Sequence, residues 1–200
     1  MEEFFTILAL CHNCEAQKSS QGIFYKGDSR DEVTLVDAAR NLGFAFVNEC
    51  STFRTLDVHG EKRHYEIVFN FPFTPDRRKS SIIVQQDGYY KLMVKGSDED
   101  MYQRLLRSTA SNPNRALQEI IEDAYDNIDV LADKGMRNIC VAERLMNTYE
   151  VQEVSKRIKQ ALSQNRPELI CKWRPDPPSR DRGLHRAQPQ PHRLPPWRTS

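Results

Sequence analysis

Two hundred residues, 38% hydrophobic and 28% charged, are enough for one globular core with or without a tail and too few for more than two independent domains. The longest apolar run, about Phe4 to Cys11, falls far short of the roughly 20 residues that cross a bilayer, so no membrane helix is expected. The net charge of +1 conceals a split: residues 172–200 carry seven Lys or Arg against two Asp, while residues 1–171 hold 22 basic and 26 acidic side chains.

That split places a boundary near residue 171. The segment beyond it also contains seven of the eleven prolines and both tryptophans, and without hydrophobic periodicity it cannot bury enough apolar area to offset its backbone entropy. Residues 1–170 are expected to fold as one domain, and residues 171–200 to form a basic, Pro-rich, disordered tail. The start Met-Glu-Glu is acidic where a secretion signal is basic, and no cleavage site follows, which points to the cytosol. Five scattered cysteines, an odd number, are read as reduced thiols.

In chain order, Phe4, Phe5 and Leu8, with Cys11 at the margin, make a short apolar helix, and His12 to Gln21 a polar loop. Ser29 as N-cap with Glu32 three residues on forms a capping box; Leu35, Ala38, Ala39 and Leu42 follow at helical spacing, and Gly43 closes the helix. Residues 44–47 and 53–58 read as strands. Tyr65, Ile67, Phe69 and Phe71 alternate with Glu66, Val68 and Asn70, a half-buried strand that Pro72 ends. Residues 80–86 and 89–95 flank Asp87-Gly88, a pair suited to a two-residue hairpin turn because both positions need φ > 0.

A long helix is expected from Asn112 (N-cap) and Pro113 to Gly135, with Leu117, Ile120, Ile121, Ala124, Ile128 and Leu131 on one stripe. Residues 136–142 read as a strand and about 149–163 as a final amphipathic helix. Strands in a run, with helices before and after, give an α+β class: an antiparallel sheet flanked by helices.

The hairpin turn fixes a register, and the register gathers charge. If Gln86 pairs with Tyr89, Ser80 stands opposite Lys95 and Arg78 near Ser97, so Arg77, Arg78, Lys79 and Lys95 meet at the open end of the hairpin. Just upstream, Phe73 lies between Pro72 and Pro75 and is forced out of the ladder, since neither proline donates a hydrogen bond. An aromatic face beside clustered cations suits a purine nucleotide, with a stacking surface for the base and positive charge for the phosphates. The same residues also fit a core aromatic beside a solvated strand edge.

The segments Phe73-Thr74-Pro75-Asp76-Arg77-Arg78-Lys79 and Lys95-Gly96-Ser97-Asp98 carry a resemblance. So do Leu8-Ala9-Leu10-Cys11-His12, Ser29-Arg30-Asp31-Glu32 with Ala38-Ala39 and Gly43-Phe44, and Gly135-Met136-Arg137-Asn138-Ile139-Cys140. In order and spacing, over about residues 4–165, they resemble the nucleotide-binding domain of P-type ATPases of the phospholipid flippase class (type IV). The resemblance implies ATP as ligand. Phe73 would stack on adenine, Glu32 would hydrogen-bond near the adenine amino group, Lys95 would line the base and ribose pocket, and Arg78 and Arg137 would face the phosphates. The residues alone leave other roles open: Glu32 closing the capping box, Lys95 ending a strand, Arg137 snorkelling over the sheet.

The sequence also departs from the family pattern. Arg30 stands where Pro is usual, Pro72 where an acidic residue is usual, and Arg78, Ser80 and Ser97 replace the usual Lys, Met and Ala. Arg for Lys keeps the charge but changes the donor geometry. Asp-Lys-Thr-Gly, Thr-Gly-Asp and Gly-Asp-Gly, which hold the phosphorylated aspartate and the magnesium of such enzymes, do not occur. The chain is therefore expected to correspond to the nucleotide-binding domain alone, a fragment without catalytic residues, transport activity or a magnesium site of its own.

The remaining signals are weaker. Cys11-His12-Asn13-Cys14 has metal-like spacing but no second ligand pair, so no metal site is assigned. The acidic domain and the short Arg77-Arg78-Lys79 run give no reason to expect nucleic acid as a partner. Pro175-Asp176-Pro177-Pro178 and Arg193-Leu194-Pro195-Pro196 in the tail have the form of polyproline II ligands for a partner groove. The alternative to a nucleotide-binding domain is a non-enzymatic interaction protein that keeps this scaffold and binds partners through its tail.

Overall fold

The computed structural model describes residues 1–20, 22–50, 52–102, 105 and 115–164. In chain order it runs α1 (Glu2–Leu10), β1 (Glu15–Ser19), β2 (Gly22–Lys26), α2 (Arg30–Asn41), β3 (Phe44–Cys50), β4 (Phe53–Val58), β5 (Glu61–Thr74), β6 (Lys79–Gln86) and β7 (Tyr89–Gly96). It continues with α3 (Arg115–Asp133), β8 (Cys140–Met146) and α4 (Thr148–Ser163). Strands β3 to β8 form one antiparallel sheet in chain order, and β1 and β2 form a separate hairpin. The class is α+β, as the run of strands implied. The tail beyond residue 170 lies outside the described residues.

The sheet is covered on both faces. On one, Ile7, Leu8 and Leu10 of α1 and Val36 and Ala39 of α2 pack with Phe46, Leu56, Ile82, Val84 and Met93. On the other, Val151 and Val154 of α4 pack with Phe71, Ile83 and Leu92. The apolar run Ile82-Ile83-Val84 is thereby explained: β6 is central, and successive side chains enter opposite cores. Asp87 (φ 51°) and Gly88 (φ 81°) make the expected turn, and the β6–β7 register pairs Gln86 with Tyr89 and Ser80 with Lys95.

Several expectations are corrected. The segment from His12 to Gln21 is not all loop: Glu15–Ser19 pairs with Gly22–Lys26. The sequence EAQKS has no apolar alternation to reveal a strand, and the hairpin is tied down from outside, by Tyr25 Oη donating to the Phe46 carbonyl at 2.9 Å and by Arg40 donating to the Ile23 carbonyl. Strand β5 does not end at Pro72 but runs on to Thr74, because a register shift between Phe71 and Thr74 leaves the proline with no ladder bond to supply.

Strand β8 occupies 140–146 rather than 136–142, since the first cross-strand pair is Gly96 with Cys140. The long helix ends at Asp133, with Gly135 at φ 72°, and its expected caps Asn112 and Pro113 lie outside the described residues. The last helix starts at Thr148 behind a capping box formed by Asn147 and Glu150.

Candidate functional site

Four paired residues cross the sheet in one row at the open end of the β6–β7 hairpin: Thr74, Lys79, Gly96 and Cys140. The next row is Ser80, Lys95 and Val141. Directly paired residues share a face and consecutive ones alternate. Val141 packs into the α1–α2 core and the Cys11 thiol lies 3.5 Å from Ser80 Oγ, so Lys95 belongs to the α1–α2 side. The chain stays paired past the strand end, with Ser97 N–H donating to the Arg78 carbonyl at 3.1 Å. Glycine is required at 96, where an added Cβ would lie 2.8 Å from Lys79 Cβ and 3.1 Å from the Arg78 carbonyl.

Phe73 falls in the register shift of β5, outside the ladder, and is 55% exposed. It is not a core aromatic: between the pairs Phe71–Ser81 and Thr74–Lys79, Pro72 and Phe73 stand together opposite Ser80, which pairs with Lys95. The cations after it divide. Arg77 is buried, its guanidinium donating to the Pro72 carbonyl at 2.9 Å and Ser81 Oγ at 2.8 Å and lying over the Phe71 ring. Lys79 is buried with its ammonium 3.3 Å from Asp100 on the opposite face from Lys95. Arg78 is left exposed, held at φ 53° and paired with Glu99 at 2.7 Å. The four cations expected to converge therefore share one end of the sheet but not one face.

Glu32 and Asp31 come from the first turn of α2, which Ser29 caps by accepting from Glu32 N–H at 3.3 Å. The other half of the expected capping box is not made. The Glu32 carboxylate turns instead to Lys95 Nζ at 3.2 Å and to Asn13 N–H at 3.2 Å. Arg137, on the approach to β8, does not snorkel over the sheet. Its guanidinium grips Asp31 through two contacts of 3.1 and 2.9 Å. Sequence reading missed Asp31 and Glu99 as partners; each lies beside a motif residue already singled out, and opposite charge was the available signal.

The segment 8–12 supports this corner. Arg54, fully buried, donates to the Leu10 carbonyl and, at 2.9 Å, to the His12 carbonyl. His12 spends both ring nitrogens on backbone, Nε2–H donating to the Ala9 carbonyl at 2.8 Å and Nδ1 accepting from Cys14 N–H at 3.0 Å. Burial, reinforced by the charges of Arg54 and Lys95, pushes its pKa down to about 3. Burial likewise raises the Cys11 thiol and pushes Cys14 up to about 11. With the imidazole committed, the Cys-His-x-Cys spacing serves packing. Among the described residues no group of three or more His, Cys, Asp or Glu side chains is placed to hold a metal ion, and Glu32, Asp31 and Glu99 are each paired with a cation.

At this end of the sheet stand an exposed aromatic, a buried Lys–Glu pair and two exposed guanidinium groups. A shallow concavity lined by Phe53, Arg63, His64, Gln85 and Gly88 opens at the far end of the hairpin and gathers none of these residues.

Comparison with known proteins adds the family. A model described as "P-type ATPase, cytoplasmic domain N" matches residues 1–170. The chain is 34% identical over 171 residues to phospholipid-transporting ATPase IC of Xenopus tropicalis, covering 84% of this chain and 13% of that protein. It is 33% identical over 175 residues to the Homo sapiens protein of the same name, covering 86% and 13%. With phospholipid-transporting ATPase dnf2 of Schizosaccharomyces pombe the identity is 32% over 171 residues, covering 84% and 12%. The chain thus spans about an eighth of the length of these relatives. It belongs to the family of P-type ATPase cytoplasmic N domains, and over most of its length it is similar to phospholipid-transporting ATPases.

Proposed function

We propose that this chain is an ATP-binding domain. Phe73 stacks on adenine, Glu32 accepts from the adenine amino group, Lys95 lines the base and ribose, and Arg78 and Arg137 face the phosphates. The observation that carries the reading is the buried Lys95–Glu32 pair in the row of Ser80, opposite which the exposed Phe73 stands in the bulge of β5. A single exposed aromatic is ordinary on a protein surface, so the reading rests on its place beside the ion pair, and a buried ion pair is weak evidence of stabilisation by itself. Titration with ATP, followed by calorimetry or chemical-shift perturbation, tests the proposal: saturable binding that Phe73→Ala weakens supports it, and binding that ignores Phe73 refutes it.

Transport of phospholipid is named for the relatives, of whose length this chain spans about an eighth. We infer that this chain alone neither hydrolyses ATP nor forms an acyl-phosphate, since its sequence has no Asp-Lys-Thr-Gly nucleophile segment. Incubation with γ-labelled ATP and magnesium is expected to leave the protein unlabelled. The domain is proposed to be residues 1–170, working on the cytosolic side of a membrane when part of a longer transporter, with residues 171–200 a separate basic segment that protease trims away.

A further inference from the structure

The three cations of the proposed nucleotide site are each held by a carboxylate of the same chain, and the pairs differ sharply in solvent exposure. Lys95–Glu32 is nearly enclosed, with side chains 5% and 15% exposed. Arg137–Asp31 stands in water at 85% and 61%, and Arg78–Glu99 at 56% and 72%. An enclosed pair is a fixture, because breaking it strands a charge. An exposed pair contributes little and exchanges readily for a stronger partner. A phosphate is such a partner, since its oxygens meet a guanidinium fork as a carboxylate does but with more charge.

Without ligand the site is electrically balanced, three cations against three carboxylates. A polyphosphate that takes Arg137 and Arg78 leaves Asp31 and Glu99 behind as nearby negative charges. Resting on the nucleotide-binding reading, we propose that Asp31 and Glu99 set the site's response to phosphate number: they hold the two guanidinium groups against a monophosphate and tax a polyphosphate that displaces them. The pairing is local to each cation. Asp31 comes from the first turn of α2, whereas Glu99 follows Ser97 just beyond β7, so each pair can be altered by itself.

Calorimetric titration of ATP and AMP, without metal, on the wild type, Asp31→Asn and Glu99→Gln tests this. Both positions are exposed, and circular dichroism checks the fold. At low ionic strength each amide is expected to strengthen ATP binding about 3- to 10-fold and AMP binding less than about 2-fold, with the gain shrinking in about 0.5 M salt. An unchanged ratio of ATP to AMP affinity overturns the proposal. So does weaker ATP binding in the variants, which would make Asp31 and Glu99 positioning partners that aim the guanidinium groups. Absence of any nucleotide binding by the wild type overturns the nucleotide reading, and this proposal with it.

Discussion

Glu32 and Lys95 are 63 positions apart in the chain and meet at 3.2 Å, joining the first turn of α2 to the end of β7. The ammonium is almost wholly enclosed and the carboxylate has a second bond from Asn13 N–H, so the pair also anchors the segment after α1. Breaking an enclosed pair typically costs about 3–5 kcal/mol, because the surviving charge is left unpaired. The slight exposure of Glu32 puts Lys95→Met near the low end, about 3 kcal/mol. Adding Glu32→Gln is expected to recover part of that loss in a double-mutant cycle read by urea unfolding. A single-variant loss under about 1 kcal/mol would mean that water already screens the pair.

Phe73 gives the opposite expectation. Outside the ladder and more than half exposed, it adds little to the fold. Phe73→Ala is expected to shift stability by no more than about 0.5 kcal/mol while weakening nucleotide binding. A large loss of stability in the same urea experiment would return the ring to the core.

Gly96 is constrained by backbone contact. A methyl group there would press on Lys79 Cβ and the Arg78 carbonyl, and the second of these cannot swing aside. Gly96→Ala is expected to cost about 1–3 kcal/mol as overpacking does. It is also expected to disturb Arg78, so chemical-shift changes should centre on 78–80 and 95–97. A variant as stable as wild type would show that the strand end yields.

The buried His12 makes stability depend on pH. Its pKa is held at about 3 in the fold, against an unfolded value of about 6.5, so between those limits the unfolded chain binds the extra proton. Stability from this source is complete above about pH 6.5 and falls as pH drops, by up to about 1.4 kcal/mol per unit. Glu2, whose carboxyl is lowered chiefly by its hydrogen bond from Arg63, adds its own loss only near and below its ordinary range. Unfolding measured between pH 6.5 and 5 therefore isolates the histidine. His12→Gln is expected to flatten the curve there; an unchanged slope assigns the dependence to another group.

Much of this fold is legible in the sequence. The Asp87-Gly88 turn fixed the β6–β7 register to the residue, and with it Ser80 opposite Lys95 and Arg78 beside Ser97. Local chemistry determines such a turn. What escaped was set by distant partners: EAQKS became a strand through Tyr25 and Arg40, and the Glu32 side chain left its cap for a lysine 63 residues away. Lys79 takes its face from the pleat of β6, but Arg77 and Arg78 lie in the turn before it, Arg78 at φ 53°, and the burial of Arg77 and Lys79 depended on Pro72, Ser81 and Asp100, which spacing alone does not reveal.

Titration of the wild type and Phe73→Ala with ATP tests the central claim most directly. Base stacking on an aromatic side chain contributes about 1–3 kcal/mol, so the variant is expected to bind about 5-fold to more than 100-fold more weakly while keeping its fold by circular dichroism. Lys95→Ala is expected to weaken ATP and AMP alike, and Arg137→Ala to weaken ATP more than AMP. Folded Phe73→Ala protein that binds ATP as tightly as the wild type would contradict the account.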